Sequence, residues 1–141
     1  MIKAVFFDMY GTLAGFEPSR FEVQTTACAD FGIKLTPEGI LKGYASADEF
    51  MVKEAAIKPL GHRTTTERAS FFAEYERIVL RGSGIEISLE TARQVWDRIL
   101  QIPYKLTPFE DVEPTLTHIR NRGLITGMIS NIDQGGENVI E

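Results

Sequence analysis

Ile2, Ala4, Val5, Phe6 and Phe7 form a short, almost continuous apolar run that stops at Asp8. A run of this length predicts a strand buried on both faces, as in a parallel sheet. Gly11 follows closely and permits a tight turn. The period then changes to that of helices. Phe21, Thr25, Cys28 and Phe31 predict a first helix, with Pro18 near its start and Gly32 as its C-terminal cap. Thr36-Pro37 opens a second, with Ile40, Tyr44, Ala47, Met51 and Ala55 on one face and Pro59 and Gly61 ending it. Thr64 and Glu67 have capping-box spacing before a third helix with the stripe Phe71, Phe72, Tyr75, Ile78 and Val79. Gly82-Ser83-Gly84 stops that helix, since no strand precedes it and no Lys follows, as a phosphate loop would need. Ser88 caps a fourth, with Leu89, Ala92, Val95, Trp96 and Ile99 inward and Pro103 beyond. Residues 112–122 predict a short helix ending at Gly123. Residues 124–129 predict a second strand ending at Ser130-Asn131, and Asp133 or Gln134 opens a further helix. Gly and Pro fall singly, at element ends.

The order is strand, four helices, helix, strand, incipient helix. The expected class is α/β, with residues 1–14 and 108–141 forming one part and a four-helix insertion at 15–107. In open α/β sheets ligands collect at the carboxyl ends of strands. Both strand ends here carry polar groups, Asp8 on one and Ser130 and Asn131 on the other. A carboxylate after a dry strand, on a Gly-containing turn, can act as a covalent nucleophile. Backbone N–H groups of that turn can cradle an anion, and the Ser130 hydroxyl and Asn131 amide can donate to it. Each feature alone also reads as an ordinary turn or helix cap.

The 141 residues suffice for one domain of ordinary size. The 43% hydrophobic and 25% charged content is that of a globular chain, not a disordered one. A net charge of −5 argues against nucleic acid or an anionic membrane as partner. No apolar run approaches the roughly 20 residues that cross a bilayer. The single Cys28 excludes an internal disulfide and a Cys-rich zinc site, and a cytoplasmic setting is expected. Cys28 reads as a small buried hydrophobe. His62 reads as a solvated loop residue and His118 as a surface helix residue. Trp96 and Tyr75 read as packing, and Phe16 as hinge packing or as lining the site's entrance.

Val5-Phe6-Phe7-Asp8-Met9-Tyr10-Gly11-Thr12-Leu13 resembles the first motif of the haloacid dehalogenase (HAD) superfamily of hydrolases. Gly127-Met128-Ile129-Ser130-Asn131 resembles its second motif, approached through Asp111-Val112-Glu113-Pro114, Leu116 and Arg122-Gly123. The helical insertion stands where the family's helical cap stands. The resemblance implies a partial Rossmann-like core of parallel strands with that cap inserted. It implies that Asp8 attacks a small anionic organic substrate, giving an ester or acyl-phosphate that water hydrolyses. Met9 and Tyr10 backbone groups, with Thr12, would line the anion site, and Ser130 and Asn131 would bind the substrate's oxygens. The cap would exclude water and select the substrate.

Most phosphatases of the family carry a second acid where Tyr10 stands. A tyrosine hydroxyl ordinarily keeps its proton to about pH 10 and is a poor general acid near neutrality. Tyr10 instead resembles the 2-haloacid dehalogenase branch, where halide leaves as an anion. That branch's early-cap Arg has no counterpart in residues 41–46, so Arg20 or Arg63 would have to take the halide from another geometry. The alternative is a phosphatase that binds Mg²⁺ through Asp8 and the Tyr10 backbone carbonyl, whereas the dehalogenase reading needs no metal. The family's late Lys and acidic residues find no place after Ser130. The expectation is therefore an inactive or incomplete isolated chain, completed by a missing C-terminal half or a homodimer partner. A truncated, non-catalytic binding protein is the rival from another class.

Overall fold

A computed structural model describes residues 2–130. Asn131 and the helix expected from Asp133 or Gln134 lie outside the described residues. The chain divides into two compact units, one made by the chain up to Ser19 and from Tyr104 onward, the other by Arg20–Pro103.

The first unit holds β1 (Ala4–Phe7), β2 (Ala14–Glu17), β3 (Lys105–Pro108), α5 (Val112–Asn121) and β4 (Ile125–Met128). Strands β1 and β4 pair in parallel, Ala4 opposite Ile125 and Phe7 opposite Met128. Gly127 faces Phe6, and the Phe6 ring lies where a Cβ at Gly127 would stand. Glycine at 127 thus leaves the space that the Phe6 ring occupies beside the neighbouring strand. The expected burial of β1 on both faces is corrected. Phe6 is 62% and Ile125 68% exposed, because among the described residues α5 packs on this two-stranded sheet from one side.

Two strands escaped the pattern reading. β2 and β3 pair antiparallel, with Phe16 opposite Leu106 and Glu17 opposite Lys105. Their sequences, Ala-Gly-Phe-Glu and Lys-Leu-Thr-Pro, are poor in β-branched residues and signal no strand. Pairing across the long insertion makes them strands. The Phe109 N–H also bonds the Leu13 carbonyl at 3.1 Å. Residues 15–19 and 104–107 therefore belong with the strands, and the insertion expected at 15–107 contracts to Arg20–Pro103.

The second unit is helical, with α1 (Arg20–Ala29), α2 (Pro37–Ile57), a single 3-10 turn at Leu60–His62, α3 (Thr65–Arg81) and α4 (Leu89–Ile99). The caps are the expected ones. Thr36 accepts from the Gly39 N–H at 3.0 Å and Ser88 from the Thr91 N–H at 3.0 Å. Thr64 and Glu67 form a reciprocal capping box. Gly32 takes the left-handed conformation after α1, φ +69°, and closes it through a bond to the Ala29 carbonyl.

One core cluster gathers Val23, Ala27, Cys28, Leu80, Val95 and Ile102, and the other Ile40, Tyr44, Ala47, Tyr75 and Val79. The face expected on α2 is the buried one at Ile40, Tyr44 and Ala47. On α1 Cys28 is buried and Phe21 half-buried as expected, but Thr25 and Phe31 are not part of the buried face. Val23, Gln24, Ala27 and Cys28 are buried, while Thr25 is exposed and bonds the Phe21 carbonyl, and Phe31 lies beyond the helix end. Leu89, expected inward, is 48% exposed at the first turn of α4. Gly39 and Gly43 stand inside α2, not at element ends. A Cβ at Gly43 would overlap the Val79 carbonyl oxygen, and one at Gly39 the Ser83 hydroxyl, so α2 and the end of α3 meet backbone to backbone.

Candidate active site

The parallel pairing of β1 and β4 puts both carboxyl ends at one end of the sheet. Asp8 follows β1 directly and is exposed. Ser130 lies two residues past β4 and is half-buried. The ladder runs on beyond the strands, with the Ile129 N–H donating to the Phe7 carbonyl at 2.9 Å. The backbones leading to Asp8 and Ser130 are therefore held side by side. Asn131 lies outside the described residues.

The turn after Asp8 is a closed knot. The Met9 carbonyl accepts from the N–H groups of Thr12 (3.3 Å), Leu13 (2.8 Å) and Ala14 (3.0 Å), and the Gly11 N–H donates to the Ala14 carbonyl at 2.8 Å. Gly11 has φ +78°, which an L side chain rarely adopts, so this turn requires glycine. The knot fixes what can meet a ligand. The Thr12 N–H is turned inward, leaving its exposed side chain to contribute, and the Met9 side chain is buried beneath the turn. The N–H groups of Met9 and Tyr10 come before those bonded within the turn.

The Tyr10 ring is 44% exposed and packs at 4.8 Å on Phe16, which meets Tyr104 edge-on at 4.7 Å. Sequence reasoning considered Phe16 at the entrance and passed over Tyr104. Its only signal was its place directly before β3, a strand that the pattern did not reveal. On the ribbon's other face Lys105 pairs with Glu17 at 3.0 Å, and Thr107 also donates to Glu17. These two contacts, Lys105 first, hold the Glu17 carboxyl below its usual range.

For a magnesium ion, the Asp8 carboxylate and the Tyr10 carbonyl would supply only two of six oxygens. Among the described residues no group of three His, Cys, Asp or Glu side chains converges to hold a metal. The described donor set does not fit the ion.

Both arginines considered as halide acceptors are committed within the helical unit. Arg63, its side chain 10% exposed, pairs with the Glu54 carboxylate at 3.0 Å, donates to the Glu54 and Lys58 carbonyls, and lies over the Phe71 ring at 4.9 Å. Arg20 lies over the Tyr44 ring at 4.2 Å and reaches Asp48 at 3.3 Å. The same unit buries a polar cluster that the sequence did not signal. Gln24 donates to Glu76 and to the Cys28 sulfur, and accepts from the Tyr44 hydroxyl. Burial pushes Glu76 up to about 7 and the Cys28 thiol up to about 11, so Cys28 is an inert core group. Tyr75 and Trp96 pack as expected, Tyr75 in the core and Trp96 stacked on Phe72 at 4.4 Å. His62 and His118 are exposed.

A haloacid dehalogenase-like hydrolase family matches residues 2–138. The chain belongs to this family of hydrolases. Family membership agrees with the α/β core and the two strand ends, and it covers the helical stretch as well as the strands. No curated protein matches the chain. Among the described residues no helix is long and apolar enough to cross a membrane.

Proposed function

We propose that this hydrolase works through a covalent intermediate on Asp8, acting on a small anionic organic substrate in the manner of a haloacid dehalogenase. The observation that carries the reading is the pairing of β1 with β4, which brings an exposed Asp8 and Ser130 to one sheet end. An Asp8 carboxylate oxygen attacks the substrate carbon, and halide departs with the bonding electrons. Water then cleaves the aspartyl ester and restores the carboxylate. Ser130, with Asn131 beside it, donates to the substrate's anionic oxygens. The Met9 and Tyr10 N–H groups and the Thr12 hydroxyl stabilise charge at the turn.

Tyr10 supports a leaving group that needs no proton, because a tyrosine hydroxyl gives up its proton poorly near neutrality. The phosphatase alternative asks for an acid and a metal site, and the described residues supply neither readily. The test is to trap the adduct. Protein exposed to 2-chloropropionate and quenched in acid should carry added mass on the peptide containing Asp8, and Asp8→Asn should carry none. A wild-type protein that turns substrate over without that adduct would falsify the reading. A protein that binds substrate without turnover would instead be the non-catalytic binder.

A further inference from the structure

Tyr10, Phe16 and Tyr104 pack in sequence after Asp8, the first pair tilted by 38° and the second edge-on, and all three keep much of their surface open, at 44%, 38% and 60%. They are not loosely held. Phe16 on β2 faces Leu106, and Tyr104, directly before β3, is its diagonal neighbour. The ribbon is bonded to the turn through the Ala14 and Gly11 N–H groups, and the Phe109 N–H just past β3 donates to the Leu13 carbonyl of that turn. Aromatic rings fixed in this way and left open to water present apolar area already paid for in conformational freedom.

We infer that this ladder is the platform for the organic part of the substrate. The ligand is an anion bearing an aryl or similarly broad apolar group, its reacting end at Asp8 and its ring against Phe16 and Tyr104. The inference rests on the Asp8 reading, because only that reading makes the neighbouring turn a reaction centre. Two ring contacts make a phenyl ligand about tenfold tighter than its methyl counterpart.

The experiment measures equilibrium binding to the full chain by amide shifts in the NMR spectrum. Phenylacetate is compared with acetate, and phenylphosphonate with methylphosphonate. The expected result is a phenyl preference of about tenfold in at least one pair. Phe16→Leu and Tyr104→Leu should each reduce that preference several-fold and leave the small anions' affinities unchanged. Tyr104, the most open of the three, provides a readable variant even if Phe16→Leu fails to fold. Equal affinities within both pairs, no binding of any of the four ligands, or a preference untouched by either variant overturns the platform. A loss that falls equally on phenyl and methyl ligands also overturns it, because the rings would then serve only to hold the ribbon. The adduct experiment separates the two readings. Equal affinities alongside an Asp8 adduct overturn the platform alone, whereas a phenyl preference without any adduct upholds the platform and overturns the covalent chemistry.

Discussion

The side-chain amide of Gln24 on α1 donates to the carboxylate of Glu76 on α3, and both side chains are buried. Burial raises the Glu76 carboxyl to about 7, and the Gln24 hydrogen bond only partly offsets this. The folded chain therefore holds a proton that the unfolded chain releases near the ordinary value of 4.5. The stability from that proton is fully present below the unfolded value. It falls as pH rises toward about 7 and is flat above it. The span corresponds to about 3 kcal/mol as an upper figure. Urea unfolding at pH 5, 6, 7 and 8 should show stability falling with pH, and Glu76→Gln should flatten the curve. Glu67, which Lys58 and Thr64 hold down to about 2, does not interfere. Its stabilisation is present above 4.5 and lost only as pH falls below that, outside the window. Parallel curves for the two proteins would remove Glu76 as the cause.

The backbone contact between α2 and α3 gives a second expectation. Alanine in place of Gly43 adds helix propensity worth about 1 kcal/mol in its favour. It also drives a methyl group into the Val79 carbonyl oxygen, and backbone on that side cannot swing aside as a side-chain end can. Overpacking of this kind costs about 1–3 kcal/mol and more where backbone must move. Gly43→Ala should therefore lower the urea midpoint, whereas Ser46→Ala, on the exposed face of the same helix, should change stability by less than about 0.5 kcal/mol. An unchanged midpoint in Gly43→Ala would mean that the helices separate at little cost.

These cases mark where sequence reading works and where it stops. Helix existence, the Thr36, Thr64 and Ser88 caps and the apolar face of α2 follow from local chemistry, and the sequence states them openly. The end of β1 at Asp8 and of β4 near Ser130 is equally legible, because an apolar run followed by polar and turn-forming residues is a local signal. The β2–β3 ribbon is not local. Its strands are separated by the whole helical unit and gain their structure from each other. Nothing in the local pattern singles out Gln24 or Glu76, because they become a buried pair through contact between two helices. Gly39 and Gly43 depart from the expectation that glycines fall at element ends, because the reason for them lies on the partner helix.

Arg63 tests whether a buried cation is structural or functional. Its guanidinium satisfies two backbone carbonyls and the Glu54 carboxylate while covering Phe71. Truncation leaves those acceptors without their donor, which costs about 2 kcal/mol or more. Arg63→Ala should unfold at a clearly lower temperature. Where it remains folded, chloride and 2-chloropropionate should bind with unchanged affinity. A selective loss of halide or haloacid binding at unchanged stability would instead make Arg63 the anion's partner.

The last expectation concerns the leaving group. Tyr10 stands two residues after Asp8, the proposed nucleophile, where a proton donor to a leaving oxygen would be needed, and its ring is engaged with Phe16. Displacement of halide needs no such donor, and a carboxylate attacking carbon needs no cation to neutralise a phosphoryl group. Turnover of 2-chloropropionate should therefore be indifferent to EDTA. Asp8→Asn should lower it by at least about a thousandfold, as loss of a nucleophile does. Tyr10→Phe should leave it within about threefold, since that change removes the hydroxyl and keeps the ring. Tyr10→Asp should favour phosphate esters by restoring an acid at that position, and any phosphatase activity it gains should depend on added Mg²⁺. Chloride release that stops on adding EDTA, or that falls a hundredfold or more in Tyr10→Phe, would show that a metal or the Tyr10 hydroxyl takes part in the step.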